Sequence, residues 1–184
     1  AHFDSVYLNA KLFERIKTLH KNRETLGLDA QGVRLIERYY TDFMRSGANL
    51  TDAQKTRVKA INSELATLST QFSQNVLAEV NDSAIIVSDR GELAGLSDEQ
   101  IAGFAESAKE KNMPGKYRIA LVNTTIQPIL PQLDNRALRE RIHKASVARG
   151  ARGNEWDNRA IVSKVTKLRA ERAAIMGYPS YAAF

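Results

Sequence analysis

The sequence predicts a mainly α fold: a multi-helix antiparallel bundle with a small two-stranded β element around 84–87 and 117–122. Three observations carry this. Apolar residues recur at spacings of three and four along most of the chain. Asp, Thr and Ser stand in front of those runs as caps, and glycines stand behind several of them. Only two short stretches, 83–87 and 117–122, carry the pattern of strands.

Asp4 caps a first helix reaching to about Arg23, with Val6, Phe13, Ile16 and Leu19 on its inner side. Leu26-Gly27-Leu28 breaks it. Asp29 caps a second helix to about Met44, with Val33, Ile36, Tyr40 and Phe43 facing inward, and Gly47 ends it. Thr51 and Gln54 form a capping-box pattern that opens the longest helix, to about Glu79. Val58, Ile61, Leu65, Leu68, Phe72 and Val76 predict one apolar stripe along its whole length, and a single stripe implies helix packing along one side.

The character changes after Asn81-Asp82. Ser83 to Val87 reads as a strand and Ser88 to Gly91 as the turn that ends it. Ser97 and Gln100 form a second capping box, opening a helix to about Lys111 that Pro114-Gly115 stops. Tyr117 to Val122 is the second strand, pairing with the first as a ribbon. Pro128 and Pro131 make 124–133 a loop or broken turn, because proline lacks the amide hydrogen a helix interior needs.

Asp134 caps the next helix, about Asn135 to Arg149, with Leu138, Ile142 and Ala145 inward. Gly150 to Gly153 is a flexible link. Trp156 precedes Asp157, which caps a last long helix to Met176 that buries Ile161, Val165, Leu168 and Ile175. Gly177 and Pro179 stop it. Ser180 has the look of a further cap with four residues after it, the expected mark of a truncated chain. The resulting division is helical hairpins over 1–80, a small α+β insert over 81–133 and a basic helical pair over 134–184.

Composition narrows the function. Hydrophobic residues make up 43% and charged residues 26%, the balance of a globular chain with a real core. No run approaches the roughly 18 consecutive apolar residues of a membrane span, and the first residues lack the basic-then-apolar pattern of a secretory leader. With no cysteine, disulfides, thiolate metal sites and cysteine nucleophiles are excluded, which is compatible with a cytoplasmic location. The net charge is +6, and the segment from Asp134 onward accounts for all of it, with 11 Lys/Arg against 5 Asp/Glu. A solvated helical face, or a surface meeting an acidic part of a larger protein, is the favoured reading over a phosphate-binding patch.

Complete catalytic centres are missing from the sequence. His2, His20 and His143 are far apart and none has a second histidine one helical turn away, as a helical zinc site needs. There is no Gly-x-Ser-x-Gly elbow and no glycine-rich phosphate loop. The carboxylate pairs Asp89/Glu92 and Asp98/Glu99 lie at predicted turns and helix starts, where capping alone explains them. Tyr39 and Tyr40 adjoin an apolar helix face and read as core.

An ordered set of stretches resembles one family. These are Tyr7 to Arg15, Leu35 to Phe43, Gly47 to Leu50, Ile61 to Leu68 with Phe72 to Asn75, Glu92 to Leu96, Leu138 to Arg141, and Leu168 to Ala173 running into Met176 to Tyr181. In this order and spacing they resemble the zinc oligopeptidases of the thimet oligopeptidase family, nearest to its bacterial peptidyl-dipeptidase branch. The resemblance implies a mostly helical protein with a deep channel, in which one zinc ion on a later His-Glu-x-x-His helix activates the hydrolytic water. None of those ligands lies in these 184 residues. The expectation is therefore a non-catalytic, N-terminal segment forming a wall of the channel, whose partners are the catalytic half of the same chain and short peptides. No catalytic, cofactor or metal residue is assigned here. Arg149 and Arg152, in the basic segment, are the candidate contacts for peptide carboxylates. The alternative is a self-contained basic helical module binding nucleic acid or an acidic protein; nucleic acid is the less favoured partner, and no membrane partner is expected.

Overall fold

A computed structural model describes residues 2–184. Its elements are α1 (His2–Tyr7), α2 (Ala10–Asn22), α3 (Ala30–Ser46), α4 (Asp52–Asp82), β1 (Ile85–Val87), a 3₁₀ turn (Arg90–Leu93), α5 (Asp98–Lys109), β2 (Tyr117–Ile119), α6 (Asn123–Ile129), α7 (Arg136–Val147) and α8 (Arg159–Ile175). The fold is mainly α, as the periodicity predicts. β1 and β2 form one antiparallel sheet that pairs Ile85 with Ile119, Ile86 with Arg118 and Val87 with Tyr117.

The caps explain most boundaries. Asp29 accepts the Gly32 amide at 2.8 Å, and Gly47 ends α3 in the left-handed region at φ 95°. Thr51 and Gln54 exchange backbone and side-chain hydrogen bonds at 3.3 and 3.0 Å, and Ser97 and Gln100 do the same at 3.2 and 2.9 Å. Several boundaries differ from expectation: Asp4 lies inside α1 and does not cap it, β2 ends at Ile119 and α7 ends at Val147. The first helix is broken at Asn9, whose carboxamide oxygen accepts the Leu12 amide at 3.0 Å and starts α2 afresh. Asn135 rather than Asp134 caps α7, accepting from Leu138 at 3.0 Å. The expected loop at 124–133 contains α6, with Pro128 inside it. Ile126 and Ile129, one turn apart, are 3% and 2% exposed, so burial of that pair outweighs the lost amide hydrogen.

The chain divides into two compact units: 1–69 with 161–184, and 70–160. In the first, Phe13, Phe43 and Ala48 form one cluster, with Phe13 stacked on Phe43 at 6.1 Å between ring centres. A second cluster packs Ile61 and Leu68 of α4 against Ile161 and Leu168 of α8. Val6 and Leu19, expected inside, are 36% and 46% exposed. Tyr40 packs in the first cluster, whereas Tyr39 is largely exposed.

The second unit has one core, built from Val87, Leu93, Ile101, Ile119, Leu121, Ile126, Ile129, Leu133, Leu138 and Ile142. The late part of α4 belongs to this unit and departs from the predicted stripe. Phe72 and Val76 are exposed, while Asn75 and Glu79, one turn apart, are buried. Hydrogen bonds with the segment after α7 set that face, as described next.

Candidate functional site

The segment 148–158 joins α7 to α8 and carries both predicted contact residues. Arg149 is half-buried. Its Nε donates to the Ser146 carbonyl at 3.1 Å, Nη1 to the Leu121 carbonyl at 2.7 Å and Nη2 to the Asn123 side chain at 3.0 Å. Its guanidinium thus ties the end of α7 to the residues that open α6. Arg152 is open to solvent, with its nearest carboxylate oxygen, on Asp82, at 3.5 Å.

The expected flexible link at 150–153 is bonded on several sides. Gly150 and Gly153 adopt positive φ of 71° and 73°, which glycine takes without strain. The Gly150 amide donates to Glu79 Oε2 at 2.5 Å, and its carbonyl accepts the Asn158 amide at 2.8 Å. Asn158 Oδ1 accepts from Asn75 at 2.9 Å, and the Gly153 amide donates to Asp157 at 2.7 Å. Asn75 and Glu79 therefore face inward because the segment's backbone and Asn158 need partners once buried. The Arg159 guanidinium and amide hold the Asp157 carboxyl well below the usual carboxylate range, with the Gly153 amide adding to the effect. α8 starts at Arg159, one residue later than an Asp157 cap would place it, and Asp157 Oδ1 accepts the Arg159 amide at 2.9 Å in the turn that leads into the helix.

Of the carboxylates expected at turns and helix starts, Asp89 caps the 3₁₀ turn, whereas Ser97 caps α5 with Asp98 and Glu99 in its first turn. Asp89 accepts the Gly91 amide at 2.8 Å, and Asp98 pairs with Arg90 at 2.6 Å. His20 stacks on Tyr40 at 3.9 Å, and His143 is exposed on α7. Among the described residues no group of three or more His, Asp or Glu is placed to hold a metal ion. The side chains of this segment do not fit the zinc site of the resembled family. No helix among the described residues is long and apolar enough to cross a membrane.

The open cationic surface lies elsewhere than at Arg149. Leu138 and Ile142 bury one face of α7, 2% and 0% exposed, which turns Arg136, Arg139, Glu140, His143 and Lys144 outward. With Leu130 they line an open cleft of about 470 Å³. Arg139 donates to the carbonyls of Leu133 and Asp134, the latter at 3.2 Å, and Lys144 pairs with Glu140 at 2.5 Å. Arg136 has no ion pair among the described residues. The sequence carried a signal for this cleft, cations at 136, 139 and 144 on one side of a helix, though charge density alone pointed equally to 149 and 152.

No family model matches the chain. It is 40% identical to the dipeptidyl carboxypeptidase of Escherichia coli (strain K12) over 181 residues, which is 98% of this chain and 27% of that protein. It is 30% identical to a probable cytosolic oligopeptidase A of Arabidopsis thaliana, over 93% of this chain and 25% of that protein. Against oligopeptidase A of Escherichia coli (strain K12) the identity is 28%, over 93% and 26%. The chain spans about a quarter of the length of the curated relatives it matches.

Proposed function

We propose that this chain, similar to the dipeptidyl carboxypeptidases and oligopeptidases A of the thimet oligopeptidase family, is a non-catalytic scaffold segment of a zinc metallopeptidase acting on short peptides. The observation that carries the reading is 40% identity to a dipeptidyl carboxypeptidase across 98% of the chain. The segment lies in the N-terminal part of the parent and forms a wall of its substrate channel. Hydrolysis belongs to the remaining three quarters, where one zinc ion supplies the activated water. The parent releases dipeptides from the C-terminal end of its substrates.

Within this segment the structural work is done by apolar packing, Ile61 and Leu68 against Ile161 and Leu168, and by the bonded 148–158 segment. Arg152 is the contact for peptide carboxylates, and Arg149 supports it by fixing the backbone that leads to it.

The test uses the full-length parent and short peptides with free or amidated C-termini. The parent is expected to cleave the free-ended peptides to dipeptides and to lose this activity on zinc chelation. Arg152→Glu is expected to lower kcat/KM for free-ended peptides more than for amidated ones. Zinc binding and peptide cleavage by the 184-residue segment alone would sink the proposal.

A further inference from the structure

The cleft on α7 has the makings of a binding site that the scaffold role does not use. Its cations are held facing outward. Leu138 and Ile142 anchor the opposite side of the helix in the core of the second unit, so the face cannot rotate away from solvent. Arg139 is half-buried and its guanidinium is fixed by the carbonyls of Leu133 and Asp134. Those acceptors are uncharged, so they orient the group and leave its positive charge uncompensated. Arg136, one turn earlier, has no ion pair among the described residues. Glu140 is the one carboxylate lining the cleft and is engaged by Lys144 at 2.5 Å. Arg136, Arg139 and Lys144 against Glu140 leave the lining net positive. Leu130 adds an apolar surface to it.

We propose that the Arg136–Arg139–Lys144 cleft binds the carboxylates of an acidic peptide. The inference rests on the peptidase reading for its choice of peptide over other polyanions. Charge complementarity supplies the attraction: two cations without carboxylate partners, about one helical turn apart, match neighbouring acidic side chains of a bound segment. Leu130 offers contact to the aliphatic part of such side chains, which a phosphate backbone does not require. The site is open, so the peptide's carboxylates stay partly hydrated and the effect on affinity is moderate and salt-dependent.

The experiment measures binding to the full-length protein by fluorescence anisotropy. The probes are a fluorescein-labelled octapeptide carrying four glutamates, the same peptide with four glutamines, and a 20-base-pair duplex DNA. Arg136→Gln is expected to weaken the glutamate peptide by about two- to fivefold, the scale of an exposed charge contact, and to leave the glutamine peptide unchanged. Glu140→Gln, which removes the competing carboxylate, is expected to tighten the glutamate peptide. Variants that shift both peptides equally, or neither, overturn the proposal. So does duplex DNA that binds more tightly than the glutamate peptide and responds to the same two variants. Hydrolysis of an uncharged peptide, measured alongside, separates the two readings. If hydrolysis is absent while the variants act as stated, the peptidase reading fails and the cleft stands. If hydrolysis is present while the variants do nothing, the cleft alone fails.

Discussion

Glu79 and Gly150, 71 positions apart in sequence, meet in a 2.5 Å hydrogen bond from the glycine amide to Oε2 of the carboxylate. Glu79 is 3% exposed, and its other oxygen, Oε1, has no hydrogen-bond partner among the described residues. The bond is one of four contacts that fasten the 148–158 segment to α4 among the described residues, with Asn75–Asn158, the Asn158 side chain on the Phe72 carbonyl, and the Arg152–Asp82 ion pair. Glu79→Ala strands the Gly150 amide, and thermal unfolding is expected to report a loss of about 1–3 kcal/mol. Glu79→Gln keeps an acceptor at the same place and is expected to lose less. Equal losses for the two variants would mean that the hydrogen bond is not the cause.

Gly95 is the position least tolerant of a side chain. Its φ is 93°, and a Cβ built there falls 2.0 Å from the Gln132 carbonyl oxygen. The neighbouring Ala94 carbonyl accepts the Asp134 amide at 2.9 Å, which fixes the close approach. Gly95→Ala is expected to cost at least about 3 kcal/mol, because backbone strain adds to a clash with backbone. Urea unfolding measures it, and a change within about 0.5 kcal/mol, the surface-substitution range, would contradict the geometry.

Arg57 and Glu171 join α4 to α8 in the first unit through two contacts, at 2.5 and 2.6 Å. The Arg57 hydrogen bond lowers the Glu171 carboxyl from its ordinary value. Its stabilisation is therefore fully present above the unfolded glutamate value of about 4.3 and disappears as pH falls through the lower, folded value. Glu171→Gln is expected to flatten the fall in stability below about pH 5 while leaving the slope above pH 6 unchanged. A variant whose melting temperature tracks the parent at every pH would remove the pair from the acid response.

Core and surface of α7 separate cleanly. Ile142 is fully buried, and Ile142→Ala is expected to cost about 2–5 kcal/mol. At about 2–4 °C per kcal/mol for a chain of this size, that is a readily measured shift. Arg136→Gln, on the opposite face, is expected to change stability by less than about 0.5 kcal/mol. A melting shift for Arg136→Gln as large as that for Ile142→Ala would show that the outer face is not free of structural duty.

Local chemistry was legible in the sequence, and long-range pairing was not. Ser97 with Gln100, Asp29 and Gly47 announce helix ends through contacts within four residues, so reading them needs no tertiary information. The break at Asn9 was hidden because Val6 and Phe13 continue an apolar period across it. At α6 the prolines spoke louder than Ile126 and Ile129, whose burial depends on strands and helices elsewhere in the second unit. In the late half of α4 burial departs from the apolar period for the same reason. Phe72 and Val76 keep the period, yet Asn75 and Glu79 face inward because their partners lie at 158 and 150. Of the candidate contacts, the sequence revealed that 134–184 holds the excess charge. Only the fold distinguishes Arg149, spent on backbone carbonyls, from Arg136, which has no ion pair among the described residues.

The first unit takes its residues from both ends of the chain, 1–69 and 161–184, with 70–160 between them. A ribosome making this protein delivers every residue of the second unit before Ile161 emerges. During that interval Ile61 and Leu68 lack their α8 neighbours, and a sticky face of α4 waits in the open. The interval is the vulnerable moment of synthesis, when holding chaperones have a binding surface that the finished unit conceals.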